Sequence, residues 1–393
     1  MRGATKASAK SILGEKALCT WCLGRQYASS QGEIERVGSL IAKKFGLTPS
    51  KTCEFCGNVF ERRKEIESRV VDELCEIEFS TFQVGVMLSN DSVDNEDEMR
   101  SKLRLSSGIT LKKGLTTMFR RDLAERLHKT PSLRNPEVTV RIGLPEESII
   151  VECKPITIYA EYLKLKRGIP VRATACLTCR GEGCGECGWT GIVRDEPSVE
   201  AALVNAFLKA FAGAKVRISW SGIEEDSTLI LGGGRPTYLE VVAPSRRESG
   251  LFQLNMTPTV GVQFTRVELA PLERNKIEDL SKEVFVTADF ESELSAADIR
   301  LLEQAYKKRD LNVLGDRRSK PNRVHELVVF NSGRRARMRF LLDNRISLKQ
   351  LLAIKTGAEG KAAEIQPSFA DLLPTNRVLM AESDVVGFHR VSD

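Results

Sequence analysis

The chain has 393 residues, of which 41% are hydrophobic, and a formal net charge of +6. That length exceeds one typical domain and predicts two or three. No apolar run is long enough to span a bilayer, and the basic N-terminus MRGATKASAKSILGEK lacks the apolar centre of a secretory signal, so a cytoplasmic protein without a membrane partner is expected.

Charge is unevenly spread. Residues 1–71 hold 13 Lys and Arg against 7 Asp and Glu, which leaves the remainder balanced. A basic module on a neutral body points to a polyanion partner, RNA or DNA first, as against a merely solvated basic face. Ten cysteines are present, eight of them in four C-x-x-C pairs. In a cytoplasmic chain such pairs bind metal more often than they form disulfides. The three histidines, His128, His325 and His389, stand apart from other catalytic residue types, which argues against a histidine-based mechanism.

In chain order, Cys19, Cys22, Cys53 and Cys56 form the first set. Between the pairs, Ser30 and Glu33 read as a capping box, and Ile34, Val37, Leu40, Ile41 and Phe45 fall on one helical face. A helix that returns the chain to its start brings the pairs together, and four thiolates suit a closed, structural Zn²⁺ site. Residues 59–74 read as a second helix. Phe79 to Val86 reads as a strand, Asn90 to Glu98 as an acidic loop, and Leu115 to His128 as a helix. Val138–Ile142, Ile149–Cys153 and Ile156–Leu165 read as strands, and the basic Lys164, Lys166 and Arg167 as phosphate contacts or a solvated edge. The second set, Cys176, Cys179, Cys184 and Cys187, packs four cysteines into twelve residues among Gly181, Gly183, Gly185 and Gly188, and reads as a metal knot. Cys75 and Cys153 are left over as small core residues.

Ser198–Ala212 reads as a helix with an apolar stripe, and Lys282–Phe290 as a strand. Ala296–Arg309 reads as a helix, and Val324–Phe330 with Arg334–Leu342 as a hairpin about Asn331-Ser332-Gly333. Val242–Val267 reads as several short strands, Pro367–Leu373 as a short helix and Val385–Val391 as a last strand. Mixed strands with few helices over more than 180 residues predict one α+β domain on a long sheet. The stretch around which the rest is organised is Trp220–Glu240, WSGIEEDSTLILGGGRPTYLE. An acidic turn (Glu224, Glu225, Asp226), a Gly-rich segment and Arg235 lie between two strand-like runs, which is the layout of a site on loops held by a sheet.

This stretch resembles the active-site segment of the archaeal and eukaryotic tRNA pseudouridine synthases that carry an N-terminal RNA-binding THUMP domain. Their pattern, roughly G-x-E-D and then L-G-x-G-R-P, is matched by Gly222, Glu224, Leu231, Gly232, Gly234, Arg235 and Pro236. The segments Phe79–Gly85 and Tyr159–Pro170 and the Cys-rich knot are also similar to that family. The resemblance implies an α+β fold in three parts. These are an N-terminal four-cysteine zinc module (1–74), a THUMP-like RNA-binding domain ending in the knot (75–195) and a mixed α+β pseudouridine-synthase-like catalytic domain (196–393). It implies an isomerase that converts uridine to pseudouridine in the T-loop of tRNA, with tRNA as partner, no obligate protein partner, structural zinc and no organic cofactor.

An aspartate carboxylate is the nucleophile of such enzymes. Asp226 takes that role if the loop is one residue out of register, and Glu225 is the ungapped alternative. Arg235 is expected to hold a phosphate or the flipped nucleotide, and Phe285, in Lys282-Glu-Val-Phe285, to stack on the base in place of the family's tyrosine. A second family tyrosine is absent where Ser347-Leu348-Lys349 stands. In the family's basic segment Arg309, Val313, Leu314, Arg317 and Arg318 remain, and Pro367-Ser368 matches a family P-S. The displaced aspartate and missing tyrosines leave a second reading, a tRNA-binding or RNA-chaperone-like protein that kept the fold and lost the chemistry.

Overall fold

The computed structural model describes residues 6–105, 108–193, 197–255, 261–273, 275–313, 321–353, 365–366 and 368–390. Leu314, Arg317, Arg318 and Pro367 of the basic and P-S segments lie outside the described residues. The chain divides into two compact units, residues 1–154 and 155–393.

The first unit holds α1 (Lys6–Glu15), α2 (Thr20–Arg25), α3 (Ile34–Phe45), α4 (Val59–Leu74), β1 (Thr81–Leu88), α5 (Asn90–Lys102), α6 (Leu111–Leu127), β2 (Thr130–Pro131), β3 (Val138–Leu144) and β4 (Ser148–Cys153). Its four strands run in the order β2-β1-β3-β4. One continuous core runs from Ala9 and Trp21 through Val70 and Phe82 to Ile142, so the cysteine module and the strands are a single packed body rather than two domains. The stretch expected as an acidic loop is the helix α5. Ser89 caps it by accepting from the Ser92 amide, and it turns Met99 and Glu96 inward. Glu96 there meets the fully buried Arg25 of α2 and accepts from the Leu111 amide at 2.9 Å, a polar tie between three helices. Ser30 and Glu33 form a short 3-10 turn without the expected capping bond. Cys75 is exposed just past the end of α4 and is not a core residue, whereas Cys153 is half-buried and packs against the core.

The second unit holds β5 (Ile156–Lys164), α7 (Val199–Phe211), β6 (Lys215–Trp220), β7 (Thr228–Val242), α8 (Glu248–Asn255), β8 (Val262–Leu269), α9 (Asn275–Glu278), β9 (Leu280–Leu294), α10 (Ala296–Ala305), β10 (Arg309–Val313), β11 (Asn322–Val329), β12 (Gly333–Asp343), α11 (Leu348–Leu351), β13 (Ile365–Gln366), α12 (Phe369–Leu372) and β14 (Val378–Arg390). Among the described residues ten strands make one sheet, ordered β13-β10-β11-β12-β9-β14-β7-β5-β8 with β6 on the flank of β7. The long sheet expected from residue 196 onward is therefore present, but the boundary moves. β5, read as a strand of the RNA-binding domain, lies between β7 and β8, and the knot follows it in the same unit. The reason lies in the side chains of β5. Ile158, Ala160 and Tyr162 alternate inward and pack beneath Phe207 and Phe211 of α7. Among its described residues, Val242–Val267 supplies the end of β7, the helix α8 and the strand β8 rather than several short strands.

Two cores sit on the sheet. One joins β5 and β7 to α7; the other joins β9, β12 and β14 to α10, α11 and α12. They meet at β7. On one flank the first residues of β7 pair with β14 in parallel, Thr228 opposite Ser383 to Ile230 opposite Val385. Its last residues pair on that flank with β6, Thr237 opposite Trp220 to Val242 opposite Lys215. Between them the chain passes Gly232 (φ +61°) and Gly234 (φ +93°). At Gly232 a Cβ would stand 2.1 Å from the Val386 carbonyl oxygen, so the close approach of β14 requires glycine. The loop 221–227 leaves β6 into this gap.

Candidate active site

Loop 221–227 is held by a buried ion cluster. Arg235, 1% exposed, spends all its donors inside the protein. Its Nε and Nη2 reach the Ser221 carbonyl at 3.1 and 2.8 Å, Nη2 the Gly222 carbonyl at 2.9 Å, and Nη1 the Tyr162 hydroxyl at 3.1 Å and the Glu224 carboxylate. The Tyr162 hydroxyl donates to the same carboxylate at 2.7 Å. Lys164, fully buried, stands 3.0 Å from the other Glu224 oxygen. Its protons go to the carbonyls of Glu225 (2.9 Å), Asp226 (3.3 Å) and Ile169 (3.3 Å), so its contact with Glu224 is ionic rather than hydrogen-bonded. Burial pushes the Glu224 carboxyl up, and Arg235 with Lys164 more than reverses this, so it stays ionised below its ordinary range. Gly222 (φ +65°) lets the loop pass Asn344, whose carbonyl oxygen would lie 2.2 Å from a Cβ.

That cluster fixes where the three acidic residues point. Glu224 is consumed by it. Glu225 lines a small closed cavity with Arg235, Lys282, Leu348 and Phe388. Its Oε1 accepts from the Ser347 hydroxyl at 2.8 Å and from the Lys349 amide at 2.9 Å, at the start of α11. Asp226 is exposed, and its carboxylate has no partner among the described residues. Lys282 enters the cavity from β9 and donates to the carbonyls of Ile223 (3.1 Å) and Ile346 (2.8 Å). Burial lowers its pKa to about 8, against the pull of Glu225. Three cations and two carboxylates thus meet at the junction of the two cores, an environment that keeps Glu224 ionised away from water.

The other expected contacts fall elsewhere. Arg235 has no donor left for a phosphate; it positions the loop. Lys164 is likewise interior, and Arg167 bonds the carbonyls of Ser227 (2.6 Å) and Ser383 (2.7 Å) and the Asp384 carboxylate, while Lys166 is exposed. Phe285 lies three residues from Lys282 on an unbroken strand, so the two point to opposite faces. Its ring stacks on Phe330 at 6.1 Å under the Arg337 guanidinium, away from Glu225. The aromatic ring at the cavity is Phe388, paired with Lys282 across β14 and β9. Nothing in the spacing of the last strand singles Phe388 out.

The cysteines form two tetrads, each with all four sulfurs within 4.8 Å of one another and none in a disulfide. Sγ–Sγ separations are 3.8 Å for Cys19–Cys56, Cys179–Cys187 and Cys184–Cys187, and 4.0 Å for Cys176–Cys184. Metal–sulfur bonds of about 2.3 Å in a tetrahedron give edges of about 3.8 Å, so both tetrads fit one tetrahedral metal ion each. In the knot, the amides of Gly183 and Gly191 approach the sulfurs of Cys179 and Cys187 at 3.1 and 3.2 Å.

Comparison with known proteins bears on the whole arrangement. The family described as Pus10 THUMP domain, archaeal, matches residues 66–143, inside the first unit. A tRNA pseudouridine synthase Pus10 of Methanothrix thermoacetophila is 30% identical over 355 residues, covering 86% of this chain and 76% of that protein. The chain belongs to the tRNA pseudouridine synthase Pus10 family. A Pus10 of Archaeoglobus fulgidus is 27% identical over 83% of this chain and 92% of its own length, and one of Nitrosopumilus maritimus 28% over 61% and 63%. Among the described residues no helix is long and apolar enough to cross a membrane.

Proposed function

We propose that the chain isomerises uridine to pseudouridine in tRNA, at the adjacent T-loop uridines, with Glu225 as the reacting carboxylate. The observation that carries this is the position of Glu225 in a closed cavity facing the cation Lys282, on a loop anchored by the Glu224–Arg235 pair. Asp226 points to solvent, and the preference passes to its ungapped neighbour. The carboxylate adds to the nucleoside, the N1–C1′ bond breaks, the base turns, C5–C1′ forms as the carboxylate is released, and the C5 proton leaves as N1 gains one. Nothing is oxidised or reduced, so no organic cofactor enters. Lys282 keeps the Glu225 charge matched. Leu348 and Phe388 supply the apolar walls that exclude water. Both cysteine tetrads take Zn²⁺ as structural ions, since four thiolates leave no position for substrate. The basic residues 1–71, in the unit that carries the THUMP match, take the tRNA backbone. The protein acts in the cytoplasm, where its substrate is.

A second reading has its own support. The Glu225 carboxylate is tethered to α11, and the cavity holds only about 10 Å³, room for a single water. A uridine enters only if α11 or Phe388 moves, and a protein in which neither moves binds tRNA without isomerising it. The test uses unmodified tRNA transcript and mass spectrometry of the product. Glu225→Gln is expected to lose pseudouridine formation by at least roughly a thousandfold with tRNA binding intact, and Asp226→Asn to stay within a few-fold of wild type. Loss confined to Asp226→Asn returns the role to Asp226. Wild-type protein that binds tRNA and forms no pseudouridine establishes the second reading.

A further inference from the structure

A larger cavity lies on the opposite face of β5 and β7. Along β7, Arg235 and Thr237 alternate with Pro236 and Tyr238, and across the ladder Tyr159 stands opposite Tyr238 and Glu161 opposite Pro236. These residues and the end of β14 enclose about 580 Å³. That is within the size range of small-ligand sites.

Two of the lining residues carry polar groups without a partner among the described residues. Tyr238 is 1% exposed, and its hydroxyl has no hydrogen-bond partner among the described residues. A buried hydroxyl left unpaired is costly, and native proteins seldom tolerate it without a ligand or water. Arg390, at the rim, has no carboxylate partner among the described residues. The neighbouring cations are engaged: Arg266 grips both oxygens of Glu268 at 3.0 Å, and Lys276 meets Glu273 at 2.7 Å. Pro236, Leu280 and the Tyr159 ring line the same cavity beside the carboxylates of Glu161 and Glu268, and the Tyr159 ring packs edge-on to Tyr238 at 5.3 Å. A guanidinium for an anion, aromatic and prolyl surface for a planar body and a hydroxyl for a hydrogen-bonding edge match one common ligand class.

We propose that this cavity binds a nucleoside monophosphate unit, with its phosphate on Arg390 and its base against Tyr159 and Pro236 within reach of the Tyr238 hydroxyl. The unit is supplied either as a free nucleotide or as one residue of an RNA strand. The site stands on its own residues and does not depend on which carboxylate reacts, so its failure leaves the proposed isomerase function untouched.

The test is calorimetric titration of the full chain with uridine 5′-monophosphate and, separately, with a short oligouridylate. Wild type is expected to bind the mononucleotide. Arg390→Ala should weaken binding roughly tenfold or more, the loss of a charged hydrogen bond. Tyr238→Phe keeps the ring and its packing and should weaken binding about threefold without lowering the unfolding temperature. Oligouridylate that competes with the mononucleotide and is itself weakened by Arg390→Ala identifies an RNA strand as the source; binding of the mononucleotide alone identifies a free nucleotide. The proposal is overturned if neither probe binds at millimolar concentration, or if both variants bind as wild type does. Binding lost in Glu225→Gln but kept in Arg390→Ala assigns the nucleotide to the smaller cavity and also overturns it.

Discussion

Lys282 gives a prediction whose sign and size can both be worked out. Burial takes its pKa from the ordinary 10.5 to about 8, with Glu225 resisting the fall. Below pH 8 the amine is protonated in both the folded and unfolded chain and contributes no slope. Between about 8 and 10.5 the unfolded state holds a proton that the folded state has released, so stability rises with pH through that window. The total rise corresponds to roughly 3 kcal/mol for a shift of this size. Lys282→Met has no group to titrate. It leaves the carbonyls of Ile223 and Ile346 without a donor, but that offset is the same at every pH. The stability of wild type minus that of Lys282→Met should therefore be flat below pH 8, climb by roughly 3 kcal/mol to pH 10.5 and then level off. Urea unfolding at a series of pH values reads this directly, with Trp220 as the reporter in a Trp21→Phe, Trp189→Phe background. Adding Glu225→Gln removes the charge that holds the amine protonated, so the climb should begin at lower pH. A difference curve that is flat throughout, or falls, refutes the placement of a desolvated lysine beside Glu225.

Three further outcomes follow from the same geometry. Elemental analysis should find two zinc ions per chain; Cys53→Ser and Cys184→Ser should each lose one, with Cys53→Ser destabilising the 1–154 unit, because metal binding there is folding energy. Arg235→Gln leaves Glu224 buried with Lys164 as its one close cation and strips donors from the Ser221 and Gly222 carbonyls. The urea midpoint of the 155–393 unit should fall by the equivalent of about 3–5 kcal/mol, and a change under about 1 kcal/mol would contradict a buried pair. Phe285→Leu should leave pseudouridine formation within about threefold of wild type, because loss of area on the far face costs stability rather than transition-state contacts.

Much of the second unit was legible as pattern. Ile158, Ala160 and Tyr162 alternate, as do Val284, Val286 and Ala288, and each set forms one face of a strand. The hairpin at Asn331-Ser332-Gly333 was marked by its turn residues. The loop read from Asn90 to Glu98 was misleading because its polar composition hid a Ser89 cap and an inward Glu96, whose burial is tolerable only because Arg25 meets it from α2. The boundary near 195 failed for a related reason. A strand's sequence shows that it is a strand but not which sheet it joins, and β5 joins the larger one.

What the sequence determined by itself is local chemistry. Four C-x-x-C pairs specify two thiolate tetrads, and Gly222 and Gly232 sit where a Cβ would stand 2.2 and 2.1 Å from a neighbouring carbonyl oxygen, so no side chain fits. The spelling Glu224-Glu225-Asp226 supplies three adjacent carboxylates. Which of them can react was decided only by the tertiary structure. Arg235 from β7 and Lys164 from β5 take Glu224, and the start of α11, more than 120 residues away in sequence, takes Glu225 into the cavity with Lys282, leaving Asp226 in solvent. The physical reason is that a carboxylate's direction and ionisation are set by the charges and amides around it, and those come from strands and helices that sequence distance does not relate.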